Sequence, residues 1–276
     1  MEIRMAEHYG MCFGVRDAID LALRLARQGP LTILGDLVHN PDVVAQMDAA
    51  GTQRARQPAD VATQAVLLTA HGTARRVKLQ LREMGHQVHE AVCPLVKRAH
   101  LAAAKLASEG RHLVVIGQAD HVEVRGLVGD FDDYTVVLDE SDIDRLAGRT
   151  HLGIVAQTTQ PLERVEELVD AIRQRFPDAD VRFSDTVCQP TKDRQDALRR
   201  LVAECDTVVV VGGPDSNNSR KLTEYAESAG RRAYQVAGVA ELRKEWFAES
   251  QIVGVTAGTS TPEAVIQEVR KWLEQI

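Results

Sequence analysis

Several things are scarce in this chain of 276 residues, and each scarcity narrows what it can be. No uninterrupted apolar run approaches the roughly 20 residues that a bilayer crossing needs, and the N-terminal Met1-Glu2-Ile3-Arg4-Met5-Ala6-Glu7 lacks the apolar core of a signal peptide. A cytoplasmic location is the expectation. There is no dense Lys/Arg block and no basic strip studded with aromatics, and the formal net charge is −7; nucleic acid is therefore not expected as a partner. There are only four cysteines and no CxxC pair, which argues against a disulfide framework or a zinc ribbon and suits a reducing compartment. With 44% hydrophobic and 26% charged residues the chain can bury a sizeable core.

What is present is a repeat. Gly10-Met11-Cys12-Phe13-Gly14-Val15 follows a short strand-like run and opens a helix-like run in which Val15, Ala18, Ile19, Ala22 and Leu23 recur at helical spacing. Cys93-Pro94-Leu95-Val96 and Cys188-Gln189-Pro190-Thr191 stand in the same position in two later passes. From each cysteine to the glycine that ends the next strand (Gly35, Gly117, Gly212) is 23, 24 and 24 residues; to the polar loop beyond it (His39, His121, Ser216) is 27, 28 and 28. The spacing predicts an α/β protein of three related units, 1–86, 87–180 and 181–276, packed about a pseudo-threefold axis, because no unit buries a good core alone. The polar residues fall at the carboxyl ends of the predicted strands, where α/β sheets bind ligands.

Three thiolates at helix starts, stabilised by the helix dipole, could hold three corners of an iron–sulfur cube and leave the fourth iron open as a Lewis acid. Three partly buried thiols, or a cysteine–histidine zinc site, are the other readings of the same residues. Cys205 falls outside the repeat and reads as core. His39, His71, His121, Ser216, Asn218 and Ser260 supply donors without any Lys or Arg; together with backbone N–H groups at helix starts they make an anion site suited to a diphosphate. Glu123, two residues past His121, can carry a proton to a leaving hydroxyl, and Thr158 at the neighbouring strand end can continue a relay.

These residues also carry a resemblance. Gly10 to Val15, Val38-His39-Asn40, Ala70-His71-Gly72, Cys93 to Val96, His121-Val122-Glu123-Val124, Gln157-Thr158-Thr159, Asn218-Ser219 and Val253 to Gly258 together resemble the 4-hydroxy-3-methylbut-2-enyl diphosphate reductase family over essentially the whole chain. The resemblance implies three α/β domains in a cloverleaf about a 4Fe-4S cluster held by Cys12, Cys93 and Cys188, with one iron not ligated by protein. It implies that His39, His71, Ser216, Asn218 and Ser260 hold the substrate diphosphate, with His121 and Asn217 lining the same pocket. It implies Glu123 as proton donor with Thr158 beside it, ferredoxin or flavodoxin as electron source, and isopentenyl and dimethylallyl diphosphate as products. Three positions depart from the family pattern: Val122 where proline is usual, Asn217 at the second position of Ser-Ser-Asn, and Gln118 where histidine is common. A paralogue with a different substrate is the alternative that Val122 and Asn217 support; a non-catalytic iron–sulfur redox or iron sensor and a zinc-stabilised ligand-binding protein are alternatives of a different class.

Overall fold

Twelve strands form three parallel sheets of four in a computed structural model that describes residues 1–38 and 40–276. In the first sheet β1 (Glu2–Met5) lies beside β12 (Ile252–Ala257), followed by β10 (Thr207–Val211) and β11 (Arg232–Val236). The second runs β5 (Gln87–Glu90), β4 (Ala65–Leu68), β2 (Leu31–Leu34) and β3 (Gln53–Ala55). The third runs β9 (Asp180–Phe183), β8 (His151–Ala156), β6 (His112–Ile116) and β7 (Tyr134–Val137). Strand order is the same in all three, as the repeat requires. The repeat boundaries read from the sequence fall at β5 and β9, and each of these strands pairs with the sheet built by the preceding repeat.

The central strands are apolar runs, buried from end to end: β6 is His-Leu-Val-Val-Ile and β10 is Thr-Val-Val-Val-Val. Strands of this composition suit a parallel sheet covered on both faces. The cover comes from nine α-helices among the described residues: α1 (Phe13–Ala26), α2 (Pro41–Ala49), α3 (Arg75–Glu83), α4 (Pro94–Ser108), α5 (Val122–Val128), α6 (Leu162–Arg175), α7 (Gln189–Glu204), α8 (Asn217–Ser228) and α9 (Glu263–Leu273). Pro41 sits at the first position of α2, and Asn40 Oδ1 accepts from the N–H groups of Asp42 and Val43 at 3.0 and 3.1 Å, satisfying donors that a helix start leaves open.

The chain forms two compact units. One comprises Met1–Arg16, Val38–Ala45 and Gln189–Ile276, and contains the first sheet; the other comprises Asp17–Leu37 and Gln46–Cys188, and contains the second and third. In the first unit α7 lays Ala197, Leu198, Leu201 and Val202 against the sheet, and Cys205 joins that core at 2% exposure. Burial pushes its thiol up to about 11, which makes it an inert core residue. In the second unit Val165, Leu168, Val169 and Ile172 of α6 pack on one face of the third sheet, and Ala99, Ala103 and Leu106 of α4 on the other.

Helix and sheet approach closely where the strand carries glycine. A Cβ on Gly153 in β8 would lie 2.8 Å from Leu106 Cβ, and one on Gly254 in β12 would lie 2.8 Å from Leu201 Cγ. Leu106 and Leu201 each come 13 residues after their repeat's cysteine, so one contact is built twice. Gly254→Ala should lower stability by about 1–3 kcal/mol through overpacking, read as a reduced urea midpoint at unchanged slope.

Candidate active site

Each of the three repeat cysteines stands where a sheet's edge strand ends and the next helix begins. The N–H of Cys12 donates to Thr259 O at 3.0 Å, that of Cys93 to Ala70 O at 3.1 Å, and that of Cys188 to Thr158 O at 3.0 Å. In every case the acceptor lies just past the strand paired with the cysteine's own, so β12, β4 and β8 hold the three loops by one repeated bond. Cys93 is the N-cap residue of α4, and Cys12 and Cys188 directly precede α1 and α7. All three are partly exposed, and none of the four cysteines forms a disulfide. Soft sulfur donors presented at helix starts fit an iron–sulfur cluster. Among the described residues no group of three or more His, Cys, Asp or Glu is gathered for a single metal ion.

In the unit of the second and third sheets, three strand-end loops interlock. His121 caps α5, its Nδ1 accepting from the Glu123 N–H at 3.1 Å, and its ring meets that of His71 edge to face at 6.1 Å between centroids. Glu123 is 2% exposed. Its carboxyl accepts from the Thr158 N–H at 2.6 Å and the Thr158 hydroxyl at 2.9 Å. Burial raises its pKa from the ordinary 4.5 to about 7, against the opposing pull of those two hydrogen bonds. Because Thr158 also accepts from Cys188, one residue ties the buried acid to a cysteine loop.

Gln157 supports this arrangement from a fully buried position. Its Oε1 accepts from the Gln118 N–H and from Gln160 Nε2, both at 3.1 Å, and its Nε2 donates to Thr159 at 3.2 Å. Gly117 permits the fit, since a Cβ there would lie 2.8 Å from Gln157 Cβ. The side chain thus joins the loop leading into α5, the helix that carries Glu123, to the loop that carries Thr158.

In the other unit Ser216 caps α8, accepting from the Ser219 N–H at 3.3 Å and the Ser219 hydroxyl at 3.0 Å. Asn217 and Asn218 follow as its first residues, both buried; Asn217 Oδ1 accepts from Arg220 at 2.9 Å, while Asn218 Nδ2 finds no hydrogen-bond partner among the described residues. Ser260, 6% exposed, follows the residue that receives the Cys12 N–H. Gly258 and Gly212 pack on Ser219 so closely that no Cβ could be fitted, which brings the Ser260 loop against the start of α8. A buried amide donor left without a partner beside hydroxyls and a helix N-terminus suits an anion.

The polar loops expected at His121 and Ser216 run into Val122-Glu123 and Asn217 to Ser219. Both stretches are helix starts, α5 and α8, because His121 and Ser216 supply the caps. His39 lies outside the described residues. Arg194 and Gln157 were not singled out as functional residues. Arg194, only 6% exposed, donates to Gly10 O in the Cys12 loop and to Pro190 O at 2.7 Å. Its position three, four and seven residues before Ala197, Leu198 and Leu201 puts a cation on the buried stripe of α7, a signal visible in the sequence.

Known proteins match this chain along its length. The model of the LytB protein family matches residues 3–274. The 4-hydroxy-3-methylbut-2-enyl diphosphate reductase of Saccharophagus degradans is 37% identical over 100% of this chain and 92% of its own length. The protein of that name from Pseudomonas entomophila is 36% identical over 99% and 91%. Among solved structures, the E-1-hydroxy-2-methyl-but-2-enyl-4-diphosphate reductase of Plasmodium falciparum superposes with a TM-score of 0.92 at 25% identity, over 99% of this chain and 87% of that one. A structure of (E)-4-hydroxy-3-methyl-but-2-enyl diphosphate reductase, the terminal enzyme of the non-mevalonate pathway, gives a TM-score of 0.70 at 32% identity over the full length of both chains. With its three matched cysteine loops and a family model spanning nearly all of it, the chain belongs to the LytB protein family.

Proposed function

We propose that this chain reduces 4-hydroxy-3-methylbut-2-enyl diphosphate to isopentenyl and dimethylallyl diphosphate, the last step of the non-mevalonate isoprenoid pathway. The observation that carries the mechanism is the buried Glu123 carboxyl, raised to about 7 and bonded through Thr158 to the Cys188 loop. The conversion takes up two electrons and two protons. The allylic carbon–oxygen bond breaks, the hydroxyl leaves as water after gaining one proton, and the second proton adds to carbon at either end of the allylic unit.

Cys12, Cys93 and Cys188 would hold a 4Fe-4S cluster. When bound it supplies electrons and, at the iron without a protein ligand, Lewis acidity. The remaining work falls to the chain's own side chains. Glu123 is a reservoir for the proton of the leaving hydroxyl: a carboxyl with pKa near 7 is half protonated at neutral pH and gives up its proton readily. Thr158 orients it by holding both oxygens, and His121 fixes the helix turn that presents it. Ser216, Asn218, Ser260, His71 and His39 would receive the diphosphate, with Asn217 and His121 lining the pocket. The orphan Asn218 amide supports this assignment. Ferredoxin or flavodoxin is the proposed electron donor, in a reducing, cytoplasmic compartment where the thiolates persist.

Three measurements test the reading. Anaerobically purified protein should hold roughly four irons with matching sulfide; stoichiometric zinc without iron would reject the cluster. With reduced methyl viologen as donor, Glu123→Gln should lower turnover by about 10²-fold or more while iron and sulfide stay unchanged. The wild-type rate should fall as pH rises through about 7, where the acid loses its proton; normal turnover by the variant removes Glu123 from the mechanism. The same residue sets a stability profile. Its folded pKa lies above the unfolded value, so its contribution is fully present below pH 4.5 and is lost as pH rises to about 7, roughly 3 kcal/mol in all. Urea unfolding at both ends of that window should show the loss in wild type and not in Glu123→Gln.

A further inference from the structure

A cleft of ≈ 680 Å³ opens beside the Cys93 loop, between α3 and α4, and neither the acid relay nor the anion pocket uses it. Four cations line it, Arg75, Arg76, Lys78 and Lys97, against two carboxylates, Glu90 and Asp130, in a chain whose net charge is −7. Both carboxylates are already engaged. Glu90 pairs with Lys78 at 2.6 Å and Arg82 at 3.8 Å, and Asp130 accepts from the backbone N–H groups of Arg75 and Arg76 at 2.6 and 2.9 Å. Among the described residues the side chains of Arg75, Arg76 and Lys97 make no ion pair, and all three are exposed. His100, half-buried in the wall, has its pKa lowered by desolvation and by Lys78, so the positive field comes from the arginines and lysines.

The same cleft exposes apolar surface. Leu79 is 43% and Leu101 63% exposed, with part-buried Phe131 behind them. Apolar side chains ringed by cations make a surface for transient protein contact, where charge sets encounter and the apolar centre supplies the grip. Electron-transfer encounters are of this small, weak kind.

The position of the cleft selects the occupant. Val92 lines it and Cys93 is the next residue; Lys97 and Leu101 stand one and two turns further along α4, about 6 and 12 Å along the helix axis from Cys93. The near end of the cleft therefore lies one residue from a proposed cluster ligand. We propose that this cleft docks an acidic electron-carrier protein of the ferredoxin class and that electrons enter at the Cys93 corner. The proposal rests on the reductase reading for its purpose, though the binding it asserts is measurable without turnover.

The test uses the cluster-bearing protein and a reduced bacterial ferredoxin, with reduced methyl viologen as a donor that needs no docking surface. Arg76→Glu/Lys97→Glu should raise the apparent KM for ferredoxin about tenfold or more and flatten its salt dependence, with methyl viologen turnover within about twofold of wild type. Leu101→Ser should weaken ferredoxin binding without altering the salt dependence. Calorimetric titration of ferredoxin should reproduce the loss as a matching rise in Kd. An unchanged KM and Kd in the charge-reversed protein would overturn the assignment. So would concentration-dependent self-association abolished by the same variants, which would make a second copy of the chain the occupant. If wild type shows no methyl viologen turnover, the reductase reading fails, and the titration still decides the docking surface.

Discussion

The structure depends on a hydrogen bond made three times. In each repeat the cysteine N–H reaches back to a carbonyl just beyond the strand paired with the cysteine's own, at 3.0 to 3.1 Å. The bond satisfies a donor at a helix start, a place where the backbone otherwise leaves N–H groups open. It also fixes the loop's depth relative to the sheet. Since the strands are parallel and register-locked by buried apolar runs, the loop height is set by the sheet and not by the loop's own sequence. That is why the cysteine-to-glycine spacing varies by only one residue across the chain.

The site chemistry follows from burying polar groups around those loops. Burying a carboxyl is unfavourable for its charged form, and Glu123 responds by titrating near neutrality. Two donors from Thr158 are too few to restore an ordinary carboxylate. The same economy of partners recurs at Asn218, whose buried amide N–H group finds no partner among the described residues. Both groups are costly for folding in the same sense. One is a carboxyl that readily holds a proton and the other a donor with nothing to donate to, conditions that favour proton delivery and anion capture respectively.

Val122, Asn217 and Gln118, the positions expected to depart from the family pattern, each have a structural setting. Val122 gives up proline's fixed φ at the first position of α5, and the His121 cap supplies the order instead. Asn217 lies buried under Arg220 at the start of α8. Gln118 uses its backbone N–H, bonded to Gln157, to hold the loop in place.

The sequence by itself determined the three-fold repetition, the α/β class and which cysteines correspond, because these rest on apolar periodicity and spacing that any copy of the unit must keep. It also marked Glu123, Thr158, Ser216, Asn218 and Ser260 as strand-end residues. It did not reveal that β5 and β9 pair with the sheet of the preceding repeat, since an edge strand's partner is set by long-range pairing and not by its own pattern. Nor did it show that His121 and Ser216 cap helices, because Ser-Asn-Asn-Ser reads equally as a polar loop until its side chain meets a helix N–H. Only the tertiary structure decided that Glu123 is buried on Thr158 and that Gln157 joins their loops. Those facts are contacts between residues 35 and 39 positions apart, and local sequence carries no record of the distance between them.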